Sequence, residues 1–436
     1  MALTDTAAPT SAAHAEAAPP TLEADAPSES LLRNHDFLIV LATQLFSGFR
    51  GPLLWFSQAW YVNTAAPEDR RVLLLGVLAT VNGLAFLGWS LFGGALADRY
   101  PRRTTLIASH LAGAVLVGIT AGVLALPGTE GGGAWFFLIL PLFATFGLMN
   151  AQDLAARTAL VADVVPARHL TSAVTLNWLA MALVMLLANF LGGTLVEVLG
   201  FGPTYAIGVV PHLVIVALLW KLRLRAGPAD VHASEHSLLS NVADGIAYLR
   251  QDSAVRWTVL LMWIAVFGGM NVLWTLGAAW MHDVLNLGAA GWSRLTIFWS
   301  VGMIAASVYL IAKGSYRGKG RIFIGAGVLY GVAVVVYAFS RSIPLTGIAM
   351  LFGGLAFQLQ QTVGTTILQT VVPRPLLGRV TALLFLAPGL AQVSGLPIGL
   401  IGQAVGMQVL FPIVGLVMLG SGVAIAFLQR PLRTLD

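Results

Sequence analysis

The chain has 436 residues, of which 57% are hydrophobic and 10% charged, and its mean hydropathy is +0.83. Soluble domains carry roughly a quarter charged residues, so this composition excludes an ordinary soluble enzyme, and the net charge of +5 reads as membrane topology rather than as a nucleic-acid footprint. Cysteine is absent, which removes disulfides, thiolate chemistry and cysteine metal sites.

Residues 1–33 are rich in Ala, Pro, Ser, Thr and acid and lack a basic stretch before an apolar core. They read as a disordered cytoplasmic tail rather than a signal peptide. Apolar runs long enough to span a bilayer follow near 36–62, 72–96, 104–126, 135–155, 170–198, 204–222, 255–281, 291–312, 322–340, 345–369, 380–403 and 408–427. With the N-terminus in the cytoplasm, nearly all Lys and Arg fall on the inner side. Only Arg70, Arg71, Arg294 and Arg341 fall outside, and Arg50 lies within a span. The expected fold class is therefore an all-α membrane protein with twelve transmembrane helices and both termini inside.

The longest internal loop follows the sixth span. Leu239, Val242, Ile246 and Leu249 recur in it at helical spacing, which predicts an amphipathic helix on the membrane surface. The expected organisation is a six-helix bundle over 34–222, a cytoplasmic linker over 223–253, a second bundle over 254–428 and a short tail over 429–436. The bundles read as parallel pseudo-repeats. Thr158-Ala-Leu-Val-Ala-Asp-Val-Val-Pro166 resembles Thr365-Thr-Ile-Leu-Gln-Thr-Val-Val-Pro373, and Gly193-Thr-Leu-Val-Glu197-Val-Leu-Gly200 resembles Gly399-Leu-Ile-Gly-Gln403-Ala-Val-Gly406. Such repeats are related by an axis along the membrane normal.

Between the second and third spans stands Gly94-Ala-Leu-Ala-Asp98-Arg99-Tyr-Pro-Arg102-Arg103-Thr-Thr-Leu106. It resembles the G-x-L-a-D-r-x-G-r-r-x-x-l loop of the major facilitator superfamily, with Pro101 at the usual glycine. The resemblance covers about residues 34–428 and is strongest to the bacterial drug and siderophore exporter branch, which includes enterobactin-exporter-like proteins. It implies the major facilitator fold and alternating access. A gating cluster would be formed by Gly94, Asp98, Arg99, Arg102, Arg103 and Asp153, with Asp98 facing the start of the eleventh span near Arg379 and Arg102 pairing with Asp98 and Asp153. The Gly-Pro pair that exporters often carry on the fifth span is missing here, where the chain reads Ala188-Asn-Phe-Leu-Gly192-Gly193.

Arg50 stands near the middle of the first span, where a charge is costly unless it faces a wet cavity or a partner. It reads either as a contact for an anionic group or a coupling charge, or as a structural partner of a residue such as Asp153. His212, mid-span and beside Pro211, is either a proton carrier or a packed, hydrogen-bonded histidine. No Asp or Glu is expected at mid-membrane: Asp153 is placed near the inner end of the fourth span and Glu197 near the outer end of the fifth. The resemblance implies that spans one, four, seven and ten line the cavity. Asn271 and Trp274 would share a face of the seventh, and Gln358, Gln361 and Thr365 a face of the tenth. These are candidates for substrate contact, or for hydrogen bonds between helices.

No metal site or cofactor is expected: His232 and His236 have no third ligand nearby, and no phosphate-binding glycine loop is present. The expectation is a monomeric secondary transporter of a bacterial inner membrane. It would move a small organic molecule, outward by resemblance, with the lipid bilayer as its surroundings and no nucleic-acid partner. Importers and facilitators of the same fold stay open, as do a membrane-embedded enzyme and a channel.

Overall fold

The computed structural model describes residues 33–99, 102–129, 134–165, 170–222, 238–313 and 317–434. Among them are twelve helical stretches long and apolar enough to cross a membrane. The first four spans are the helices α1 (His35–Ala65), α2 (Arg71–Arg99), α3 (Arg102–Leu124) and α4 (Ala134–Val164), and the fifth is α5 (Leu170–Leu199). The sixth is broken into α6 (Phe201–Ile207) and α7 (Val209–Lys221) at Gly208, three residues before Pro211. Then comes α8 (Leu238–Gln251), the helix expected from the linker's spacing. The second half holds α9 (Ser253–Gly269), a π-helical turn (Met270–Thr275), α10 (Gly277–Leu285), α11 (Ala289–Lys313), α12 (Lys319–Phe339) and α13 (Ile343–Val371). It ends with α14 (Arg374–Val393), α15 (Gly395–Val405), α16 (Met407–Leu428) and the short α17 (Arg430–Arg433).

Local chemistry fixes the ends. Asn34 caps α1 by accepting from the Phe37 N–H at 3.0 Å, and its amide donates to the Val164 carbonyl at 3.1 Å, so one side chain joins the start of α1 to the end of α4. Asp252 caps α9 in the same way, accepting from the Val255 N–H at 3.0 Å. Asn286 takes the left-handed conformation that closes α10.

The distribution of polarity is that of a lipid-solvated protein. Phe137, Val198, Trp220 and Phe427 are 65–76% exposed, whereas Arg50, Asn82, His212, Asn271 and Gln360 are fully buried. Water would not support that outer surface; hydrocarbon does. The chain is a multi-pass membrane protein.

Two seams join the halves. In one, α5 packs on α11; in the other, α2 packs on α14 and α15. Gly193 sits in the first, where a Cβ would run into the Ala289 carbonyl, so only glycine permits this approach. In the second, the Thr80 hydroxyl donates to the Val393 carbonyl at 3.1 Å and accepts from the Leu396 N–H at 2.9 Å.

The fourth span runs well past its expected inner end near residue 155, as one helix to Val164. Hydropathy marks where lipid stops, not where a helix stops. Asp153 therefore lies eleven residues before the helix end, roughly 16 Å along its axis. The apolar stretch of this span itself closes at Asp153, near the inner end where the sequence places it, while the helix carries on beyond.

Candidate functional site

Asp153 meets three polar side chains from two other helices, and a fourth side chain from a third helix extends the cluster. Its Oδ2 accepts from the Arg50 Nη2 at 2.6 Å and from the Ser47 hydroxyl, both on α1. Its Oδ1 lies 3.6 Å from the His110 Nε2 on α3. The Nδ1 atoms of His110 and His212, on α7, are 3.1 Å apart. All of these side chains are buried. Helix geometry explains the convergence. Ser47 and Arg50 are three residues apart and share a face of α1. Gly113, one turn beyond His110 on α3, leaves room for the His212 ring: a Cβ there would stand 2.6 Å from His212 Cε1.

The ion pair answers part of the cost of burying Arg50, and only part. The Arg50 Nε and Nη1 atoms have no hydrogen-bond partner, nor do Gln44 Oε1 and His212 Nε2. A cavity of about 20 Å³, large enough for one water, is lined by Gln44, Ser47, His110 and Asp153 together with apolar side chains that include Leu219. Farther along α1, Gln58 donates to the Tyr205 hydroxyl at 2.7 Å and accepts from Asn82 Nδ2 at 3.1 Å. Asn82 Oδ1 in turn accepts from the Gly147 N–H. This second network ties α1, α2, α4 and α6 together.

The seventh-span candidates behave differently from the expectation that they share one helical face. The Leu276 N–H donates to the Asn271 carbonyl at 2.9 Å, an i→i+5 bond. This wider turn rotates each residue less than an α-turn, so residues three apart separate. Asn271 turns toward the eleventh span, donating to the Ala391 carbonyl at 3.2 Å and the Ser394 hydroxyl at 3.0 Å. Trp274 stands edge-on to Phe56 and Trp299. On α13, Gln358, Gln361 and Thr365 are half-buried, and Gln358 donates to Thr362 at 3.2 Å. Thr362, Gln369 and Thr370 on the same helix are exposed. Gln369 and Thr370 stand in the last turn of α13, whereas Thr362 lies well within it, where a polar side chain suits water better than lipid.

Of the expected gating cluster, the side chains at Asp98, Arg99 and Arg102 and the surroundings of Gly94 lie outside the described residues, as do residues 1–32, His232 and His236. Arg103 donates to the Leu219 and Trp220 carbonyls at 2.8 and 2.6 Å, closing the end of α7. Arg379, the expected neighbour of Asp98, pairs with Asp244 of α8 at 3.1 Å.

At the end of the molecule opposite α8 the halves are fastened by charge and by hydrogen bonds. Arg71 of α2 pairs with Asp283 of α10 at 2.6 Å, with His282 beside them. Glu197, near the end of α5, accepts from the Ala290 N–H in the first turn of α11 at 2.9 Å. Gln403, near the end of α15, accepts from the Leu73 N–H in the first turn of α2 at 3.3 Å. Each is a helix cap supplied by the other half, and each satisfies an N–H that its own helix cannot. Glu197 and Gln403 occupy matching places in the repeated sequence segments. Between these fasteners, residues Leu53 to Asn63 of α1 are buried on every face.

The sequence did not single out His110 or the two caps. His110 was visible as a second histidine within an apolar run of the same half; the caps leave no local signal, because their partners are more than 90 residues away.

Twelve spans in two six-helix repeats, glycine-tight seams between the repeats and a charged cluster buried in one of them define a membrane transporter of the major facilitator fold. The model of the transmembrane secretion effector family, MFS_3, matches residues 27–436, and the chain belongs to that family. It is 22% identical over 408 residues to the multidrug efflux pump Tap of Mycolicibacterium fortuitum, covering 92% of this chain and 97% of that one. It is 26% identical over 240 residues to the uncharacterized MFS-type transporter YfmI of Bacillus subtilis, covering 53% of this chain and 58% of that one. Among solved structures, a D-xylose-proton symporter superposes with a TM-score of 0.70 at 13% identity over 93% of this chain and 99% of that one, which is a likeness of fold.

Proposed function

We propose that this protein is a secondary active exporter of small organic molecules that works by alternating access, with the α8 end in the cytoplasm. The observation that carries the reading is the unequal closure of the two ends. Opposite α8, the Arg71–Asp283 pair and the two exchanged caps hold the halves together, and the flanking part of α1 is enclosed. Toward the α8 end, α13 presents Thr362, Gln369 and Thr370 to water. This is the arrangement of a carrier open on one side, and a rocking of the halves about the two seams would exchange the open side.

Outward direction draws its support from the secretion-effector family and from the efflux pump Tap. The inner-membrane placement with internal termini draws on the bias of Lys and Arg toward the α8 side. The aromatic side chains Trp274, Trp299 and Phe357 beside the amides Gln358 and Gln361 suit an amphipathic organic substrate. We assign the division into bundles over 34–222 and 254–428, joined by the linker, to the same rocking motion.

The test is transport of ethidium by proteoliposomes, with and without an imposed pH gradient, beside the sensitivity of a deletion strain to antibiotics and siderophores. Gradient-dependent ethidium movement and a hypersensitive strain are the expected results. Proteoliposomes that move no solute under any gradient, with a strain of unchanged sensitivity, would overturn the proposal.

A further inference from the structure

The buried cluster holds an uncommon contact, and its chemistry restricts where protons can sit. A neutral imidazole has one N–H and one bare nitrogen. Two Nδ1 atoms 3.1 Å apart cannot both carry a proton, nor face each other bare in a dry interior, without loss. The two rings must therefore be opposite tautomers. The Asp153 carboxylate lies beside His110 Nε2, which favours the proton there. His110 then accepts at Nδ1, His212 donates from Nδ1, and the bare nitrogen left over is His212 Nε2. That atom is buried and has no partner.

From this geometry we infer that His212, His110 and Asp153 form a proton relay that ends by neutralising the counter-ion of Arg50. His212 is fully buried in this state, so the relay loads when movement of α3 and α7 lets water reach His212 Nε2, where the proton is taken from hydronium. His212 passes its Nδ1 proton to His110 Nδ1, and His110 passes its Nε2 proton to Asp153. Three bonds to hydrogen form, at His212 Nε2, His110 Nδ1 and a carboxyl oxygen. Three break, at hydronium, His212 Nδ1 and His110 Nε2. Both rings finish neutral and with reversed tautomers. The last gap, 3.6 Å, is longer than a formed hydrogen bond. It borders the water-sized cavity lined by His110, Asp153, Gln44 and Ser47, so either a small ring rotation or one water completes it.

The consequence falls on α1. Arg50 donates only to Asp153 among its resolved hydrogen bonds, and its other two nitrogens have no partner. Once Asp153 is neutral, the guanidinium is a buried charge without a counter-charge, which drives it toward water or toward an anionic group. The relay rests on the transport reading for its purpose, though not for its chemistry. The titratable groups facing it are Arg50 on α1, His110 on α3, Asp153 on α4 and His212 on α7, with Tyr205 on α6 held by Gln58, among the described residues.

The test reads the rings directly and needs no substrate. The full chain, labelled with 15N-histidine and reconstituted in nanodiscs, is followed by nitrogen NMR from neutral to mildly acidic pH. Signals are assigned with His212→Gln and, separately, His110→Gln; each variant alone identifies both rings by difference if the other folds poorly. The expected result at neutral pH is an Nε2–H tautomer for His110 and an Nδ1–H tautomer for His212. Acidification should reverse both in the wild type. In Asp153→Asn, where the relay has no final acceptor, it should leave a doubly protonated ring or no change. Equal tautomers at neutral pH, a wild type without reversal, or reversal in Asp153→Asn would each overturn the relay. Because ethidium transport is measured separately, failure here leaves the exporter reading standing, and failure there leaves the ring chemistry standing.

Discussion

Replacing Arg50 by Met and Asp153 by Leu, singly and together, separates the cost of a lone buried charge from the worth of the pair. Arg50 is 0% exposed and Asp153 5%. Removing one member of a buried pair costs about 3–5 kcal/mol, because the other is left uncompensated. Asp153→Leu should fall at the upper end, about 5 kcal/mol, since Arg50 then has no carboxylate at all. Arg50→Met should cost less, about 3 kcal/mol, because Ser47 still donates to Asp153 and His110 stays near it. The double variant swaps the pair for side chains of similar bulk. It should lie within about 1–2 kcal/mol of wild type, the remainder being the acceptor lost to Ser47 and His110. Reversible unfolding in mixed micelles, followed by intrinsic tryptophan fluorescence, gives the four values of the cycle. If the two single costs simply add in the double variant, Arg50 and Asp153 do not act as a pair and the reasoning fails.

Gly193→Leu should abolish ethidium movement while preserving membrane insertion, because the side chain would force α5 and α11 apart at the Ala289 carbonyl; normal transport would contradict this. The natural chain has no cysteine, so Asn63→Cys places a single thiol beneath the fastened end. Its maleimide labelling should accelerate with Arg71→Glu and return toward the slow rate with Arg71→Glu/Asp283→Arg, measured by mass shift. Glu197→Gln should preserve the cap on α11, losing only the charge–dipole part of about 0.3–1 kcal/mol. Glu197→Leu should lose about 1–3 kcal/mol by stranding the Ala290 N–H. Equal effects of the two substitutions on Asn63→Cys labelling would show that the cap contributes nothing.

Much of the architecture was legible because lipid imposes a simple code: twenty or so apolar residues, then a boundary. The linker helix was legible for a related reason, its apolar residues falling on one face. The buried cluster was only half legible. Arg50 announces itself because a charge inside an apolar run demands an explanation, and Asp153 was named as its possible partner. The apolar run of the fourth span closes at Asp153, and hydropathy did not show that the helix continues past it and past Arg157. The physical stop lies at Val164, just ahead of Pro166, whose ring disfavours helix in the residue before it. His110 and His212 were each visible, but their meeting depends on Gly113 letting α3 and α7 close up, which no pattern within either helix reveals. The turn at Asn271 was illegible for a different reason. Hydropathy carries no mark that tells an i→i+5 register from i→i+4, so the expected common face with Trp274 rested on the commoner geometry.

The exchanged caps have a consequence for how the closed end would part. Glu197 and Gln403 do the same job at matching places, but one does it with a carboxylate and the other with a neutral amide. A charged acceptor makes the stronger bond, so the two seams are capped unequally. Halves that parted in one step would have to break both caps together. Halves that part first at the Gln403 cap, while Glu197 holds, open like a door, with the hinge post along α5 and α11 and the handle at α15.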